Sequence, residues 1–273
     1  MQTLAGNNRK TALITGASAG IGKAFAEELA RNGYDLVLVA RRRERLEEIG
    51  AGLQATYGIT ATALAMDLSD HNAPVAIFEK LQRDNIVIDV LVNNAGYALT
   101  TKFSEGSWNK HAMFLNVMVT SVVRLCHLFI PGMKARGQGQ IINIGSILAY
   151  MAGTPGELNE LYVGAKSFIV KFSQSLYLDL ANAGIKVTVV CPGFTRSEFH
   201  NVSGLREEVN KMPAIFWMDA PAVARLGYAA AMKGRPVCIP GLVNKVLVFL
   251  MRVTPETILL GVVRLISKAI TKK

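Results

Sequence analysis

Cysteine is scarce in this chain. Cys126, Cys191 and Cys238 are the only three in 273 residues, and they are far apart with no CxxC spacing. That pattern gives no basis for a disulfide framework or a metal site and points to a reducing compartment. Acidic side chains are also in deficit, with 20 Asp plus Glu against 30 Lys plus Arg for a formal charge of +10. Such a charge suits anionic partners, whether nucleotide phosphates, anionic lipid, acidic substrates or nucleic acid, without choosing among them. The opening segment MQTLAGNNRK has no apolar core of the signal-peptide kind, so export is not expected and a cytoplasmic location is. Between Val237 and Lys273 no uncharged run approaches the roughly 18 residues of a membrane span, since Lys245, Arg252 and Pro255 interrupt it. Basic runs interleaved with aromatics are missing too, which leaves nucleic acid unsupported as a partner.

Apolar residues, in contrast, make up 51% of the chain, ample for a packed core. They fall into short runs: TALIT (11–15), DLVLVA (35–40), TATALAM (60–66), IDVLVN (88–93), QIINIG (140–145) and IKVTVVCP (185–192). Helix-length segments separate them. Continuous apolar strands alternating with helices predict an α/β fold of the Rossmann type, a doubly wound and mostly parallel sheet with helices on both faces. No repeat or linker divides it, so residues 1–273 are expected to form one domain. Residues 194–219 read as too irregular for a sheet element and too apolar for a solvated loop, and a lid is expected there.

TGASAGIG (15–22) joins the first strand to the first helix, where backbone amides and the positive helix end can receive a phosphate. Gly16 permits the tight turn, Gly20 the close approach of a pyrophosphate, and Gly22 the packing of the helix near the sheet. Ser18 and Ile21 complete the cradle. The spacing is GxxxGxG rather than GxGxxG. An acid ending the second strand would bind a ribose 2′-hydroxyl, and none is there. Asp35 lies at the other end of the run, while the ligand end reads Arg41, Arg42, Arg43. A guanidinium at Arg41 favours a 2′-phosphate, hence NADP(H) over NAD(H), with NAD(H) still open. The other arginines can pair with Glu44, Glu47 and Glu48. Asp67, ending the third strand, could accept from an adenine amino group or cap the segment that follows.

In LYVGAKSF (161–168), Tyr162 and Lys166 stand four apart, side by side on a helix. For Tyr162 to exchange protons near neutrality its pKa must fall from about 10, at a cost of about 3 to 4 kcal/mol. A cation about 4 Å away at an effective dielectric near 20 supplies on the order of 4 kcal/mol. The expectation is therefore that Lys166 lowers the phenol's pKa. Ser146 ends the preceding strand, where its hydroxyl could donate to a carbonyl oxygen or simply cap a helix.

TGASAGIG, NNAG at 93–96, Asn116, Ser146, Tyr162-x-x-x-Lys166 and CPG at 191–193 together resemble the short-chain dehydrogenase/reductase family, over about residues 10 to 240. The resemblance implies that Tyr162 is the general acid/base, that Lys166 tunes it and holds the nicotinamide ribose, and that Ser146 orients the carbonyl. It further implies that Asn116 supports a proton-relay water, and that Asn93, Ala95 and Gly96 shape the floor under the cofactor. Pro192, Gly193, Thr195 and Ser197 fill the family's PGxVxT pattern, with serine in the last threonine's place. Ser146 and Tyr162 stand further apart than is usual, which places an insertion at GTPGELNE (153–160), and Ala19 replaces a basic residue common in NADPH-preferring members. The implied activity is interconversion of a ketone and a secondary alcohol on an apolar, lipid-like molecule. A broad small-carbonyl reductase is the alternative, as is a non-catalytic dinucleotide-sensing or scaffold protein. A homodimer or homotetramer through LNVMVTSVVRLCHLFI and SFIVKFSQSLYLDL is also implied.

Residues 241–273 are apolar and basic. From Val237 onward Lys245, Arg252, Arg264, Lys268, Lys272 and Lys273 face Glu256 alone, and Ile258, Val262, Leu265, Ile266 and Ala269 lie largely on one side of a helix. Two readings stay open. The segment lies on an anionic membrane surface, or it packs over the active site or a neighbouring subunit. Phe194, Phe199, Phe216 and Trp217 are expected either to line an apolar cavity or to pack the lid.

Overall fold

The computed structural model describes residues 9–151, 160–196 and 213–271, with side chains to residue 265. The strands are β1 (Thr11–Thr15), β2 (Asp35–Ala40), β3 (Ala61–Ala65), β4 (Val90–Asn93), β5 (Gly139–Ile144), β6 (Ile185–Val190), β7 (Phe194–Arg196), β8 (Trp217–Asp219) and β9 (Val237–Cys238). The helices are α1 (Gly20–Arg31), α2 (Arg43–Tyr57), α3 (Ala73–Arg83), α4 (Trp108–Leu115), α5 (Ser121–Arg136), α6 (Glu160–Asp179), α7 (Ala220–Met232), α8 (Leu242–Val253) and α9 (Glu256–Thr271). Seven strands pair in parallel in the order β3-β2-β1-β4-β5-β6-β9. The chain is thus an α/β doubly wound sheet.

Each buried strand is apolar on both faces because both faces are covered. Ala12, Ile14, Leu36, Leu38, Val90 and Val92 pack with Phe25 and Leu29 of α1 and with Val223 and Ala224 of α7. The alternate residues Leu13, Val37, Leu91, Ile141 and Val187 face Ile77 of α3 and Leu125 and Phe129 of α5. The strand order reverses between β1 and β4, which opens a crevice at their carboxyl ends. Thr15 ties the two ends together, its hydroxyl accepting from the amides of Asn94 and Ala95 at 3.0 Å each.

Two expectations about elements need correcting. Residues 194–219 do contain sheet structure: β7 and β8 pair in parallel at its two ends, and Arg196 bridges to Asp219 at 3.2 Å. Strands of three residues are too short to show alternation, and their partners lie about twenty residues apart in the chain. The rest of that stretch, from 197 to 212, lies outside the described residues, as does 152–159, which holds most of the expected insertion. The seventh strand, β9, also gave no sequence signal, being two residues long.

Candidate active site

The crevice at the switch point is a cleft of about 530 Å³. Its near wall is the glycine turn. Gly16 and Gly20 have positive φ, +67° and +54°, a conformation glycine adopts without strain. A Cβ at Gly22 would sit 2.2 Å from the Gly16 carbonyl oxygen and 2.4 Å from Asn94 Nδ2. Only glycine therefore lets α1 begin so close to the sheet. Gly22 supports the turn from behind, and the cleft itself is lined by Gly16, Ser18, Gly20 and Ile21. No side chain caps α1 and no acid stands in its first turn, which suits a phosphate.

At one end of the cleft, Arg41 and Arg42 both line the wall. The Arg42 guanidinium donates to Ser18 Oγ at 3.3 Å, so a second arginine, which the sequence reading left among the solvated ones, joins Arg41 there. Arg43 turns away and lies 3.7 Å from Glu47. Asp35 is at the opposite edge, accepting from the Thr60 amide at 2.7 Å. Asp67 lines the cleft and also braces its own loop, accepting from the Ser69 amide at 2.9 Å.

At the other end stand Ser146, Tyr162 and Lys166, all buried and all lining the cleft. Ser146 follows β5 in extended conformation, and its Oγ accepts from the Leu148 amide at 3.1 Å. Its side chain also bonds the Tyr162 phenol. Lys166, one helical turn after Tyr162, donates to the Ile144 carbonyl at 2.7 Å, with Nζ 5.9 Å from the centre of the Tyr162 ring.

Here the electrostatics depart from the sequence reading. Burial pushes the Tyr162 phenol up to about 12, opposed by the hydrogen bond from Ser146, and burial brings the Lys166 ammonium down to about 8. A screened cation at about 4 Å was expected to dominate. Instead the cation is directed at a backbone carbonyl, and both groups lose more to desolvation.

Ala95, Gly96, Pro192, Gly193 and Thr195 line the cleft as expected. Thr195 is buried and donates to the Gly193 carbonyl at 3.0 Å. Asn93 and Asn116 do not line it. Asn93 shares strand parity with Leu91 and so points to the α5 side, where its amide donates to Asn143 Oδ1 at 2.9 Å; Asn143 in turn donates to Ser173 of α6 at 2.9 Å. This buried chain joins β4, β5 and α6 beneath the floor. Its neighbour Asn94 is the one that reaches the cleft, donating to the Thr15 carbonyl at 2.9 Å. The Asn116 amide donates to the Ser69 carbonyl at 3.0 Å, and the next residues, Val117 and Met118, line the cleft instead. Asn116 opens a π-helical stretch, Asn116–Thr120, between α4 and α5, and its amide holds the carbonyl of Ser69, which itself lines the cleft. Ser197 and Phe199 lie outside the described residues. Of the four aromatics, Phe194 lines the cleft and packs against Trp217 at 5.7 Å, while Trp217 and Phe216 are not among the lining residues.

The short chain dehydrogenase family model matches residues 10–208. The chain belongs to this family. Zebrafish (Danio rerio) very-long-chain 3-oxoacyl-CoA reductase-A is 32% identical over 199 residues, a match covering 71% of this chain and 60% of that protein's length. Among solved structures, a short-chain dehydrogenase from Sphingobium yanoikuyae in complex with NADPH is 32% identical with a TM-score of 0.78, covering 90% of this chain and 96% of that one. The bulky-bulky ketone specific alcohol dehydrogenase from Comamonas testosteroni is 28% identical with a TM-score of 0.74, covering 91% and 96%. The fold gathers the Ser146 hydroxyl, the Tyr162 phenol and the Lys166 ammonium at one end of the cleft.

Proposed function

We propose that the protein is an NADPH-dependent reductase of ketones bearing apolar groups. The observation that carries this reading is the cleft's two ends: Arg41 and Arg42, with no acid ending β2, at one, and the Ser146–Tyr162 pair beside the buried Lys166 at the other. The residues fit the dinucleotide, since the uncapped start of α1 offers amides to a pyrophosphate and Arg41 with Arg42 suits a 2′-phosphate. When bound, NADPH supplies a hydride to the carbonyl carbon. Ser146 donates a hydrogen bond to the carbonyl oxygen and Tyr162 gives that oxygen its proton. The Lys166 ammonium, held by Ile144, stabilises the phenolate left behind, which is reprotonated from solvent.

Met113, Val117, Met118, Leu148 and Phe194 surround the hydroxyl end of the cleft, and their apolar surface favours a bulky or long-chain ketone over a small polar one. The named ketone and acyl specificities of the relatives support the same choice. NADPH oxidation followed over ketones of increasing chain length, beside NADH, tests it. A rate that rises with chain length and prefers NADPH is expected; preference for short polar carbonyls overturns the substrate assignment. On α6, Phe168 and Leu178 are exposed, which supports a homodimer or homotetramer through 115–130 and 167–180, of the family's kind.

A further inference from the structure

The two helices beyond β9 have different surroundings. The inner face of α8 is built into the site: Asn244 and Val248 are buried, Asn244 donates to the Pro240 carbonyl at 2.7 Å, and a Cβ on Gly193 would lie 2.4 Å from Asn244 Oδ1. Near its other end Arg252 lies 4.6 Å over the Tyr150 ring, in the short turn that follows Ser146. Its outer face is uncovered. Leu242, Val246, Phe249 and Val253 recur at i, i+4, i+7 and i+11, and they are 77%, 51%, 62% and 59% exposed. After a bend of 119°, α9 repeats the pattern with Ile258, Val262 and Leu265, also exposed.

Stripes of this size on solvent-facing helices mark an interaction surface. At 12 and 16 residues, each helix is shorter than the roughly 20 residues that cross a bilayer core. Charge selects the occupant. Lys245 and Arg264 are exposed beside the stripes, Lys268, Lys272 and Lys273 follow, and Glu256 is the sole acid of the segment. A second copy laid on the same stripes would bring Lys245 and Arg264 against their counterparts, whereas anionic headgroups neutralise them. We infer that α8 and α9 dock on the surface of an anionic lipid bilayer, their apolar stripes in the headgroup–acyl boundary. Docking sets the helix that packs against Gly193, a residue of the cleft lining, directly against lipid. It does not depend on the reductase reading, because the surface and its charge lie outside the catalytic groups.

Flotation of the full chain with phosphatidylcholine vesicles, with and without phosphatidylglycerol, tests the inference. Binding to the anionic vesicles alone is expected, weakening as salt rises. Val246→Asp/Phe249→Asp should lower the bound fraction at least about tenfold, and Lys245→Gln/Arg264→Gln several-fold, with NADPH binding unchanged in both. The charge pair carries the test if the aspartate variant fails to fold. Absence of wild-type binding to anionic vesicles overturns the inference, as does full binding by either folded variant. So does a wild type that ignores vesicles while Val246→Asp/Phe249→Asp dissociates an oligomer in sedimentation, which would give the face to a second copy.

Discussion

Lys166 Nζ lies 5.9 Å from the centre of the Tyr162 ring and donates to the Ile144 carbonyl at 2.7 Å. The helical i, i+4 relation brings the two side chains together, but the end of β5 decides where the ammonium points. With the phenol held up near 12 and the ammonium brought down to about 8, the free site holds a proton on tyrosine throughout the physiological range. That is the protonation state a ketone reductase needs.

Tyr162→Phe removes the proton donor and should lower kcat for ketone reduction by about 10³-fold or more, with NADPH affinity, read by fluorescence, kept. Ser146→Ala removes the hydrogen bond that holds the phenol down as well as a donor to the carbonyl, and a loss of about 10² to 10³ in kcat is expected. Substantial turnover by Tyr162→Phe would remove the assigned acid.

Ketone reduction should fall as pH rises through about 8. Lysine is charged below its pKa and phenol is neutral below its own, so both groups are protonated below about 8, where Lys166 begins to lose its charge; Tyr162 deprotonates only near 12. The profile of kcat/KM reports the free enzyme. Lys166→Met should lower the plateau and abolish this limb, and an unchanged limb in that variant would assign it to another group.

Arg41→Ser/Arg42→Ser should raise KM for NADPH about 10- to 100-fold, the loss of one or two charge-assisted hydrogen bonds. KM for NADH should change little. Equal losses for both cofactors would mean that the arginines support the fold of the turn through Ser18 rather than select a phosphate.

Gly22→Ala places a Cβ 2.2 Å from the Gly16 carbonyl oxygen. Overpacking of this kind costs about 1 to 3 kcal/mol, and here it also displaces the phosphate cradle. Thermal unfolding should show a lower Tm, and NADPH titration a weaker Kd. Wild-type values for both would mean that the α1–sheet contact can relax.

Much of this was legible in the chain. The apolar runs of five to eight residues marked six of the seven strands of the main sheet, since a strand buried on both faces has few polar positions. The glycine turn, Ser146, Tyr162 and Lys166 fell where their flanking elements placed them. Within the NNAG turn it is Asn94, Ala95 and Gly96 that line the cleft, because strand parity turns Asn93 to the α5 side, where it bonds Asn143. Arg42 looked like its solvated neighbours until the turn at Ser18 came within reach.

Composition and local periodicity by themselves determined the parallel α/β sheet and the glycine turn, and short motifs resembling the family's pointed to Ser146, Tyr162 and Lys166, because each depends on neighbours within a few residues. Tertiary structure alone decided which carbonyl holds the ammonium, how far burial moves both pKa values, and that α8 packs one face against Gly193 beside the cleft while leaving the other bare. Those outcomes rest on desolvation and contact between segments distant in the chain, which no local pattern encodes.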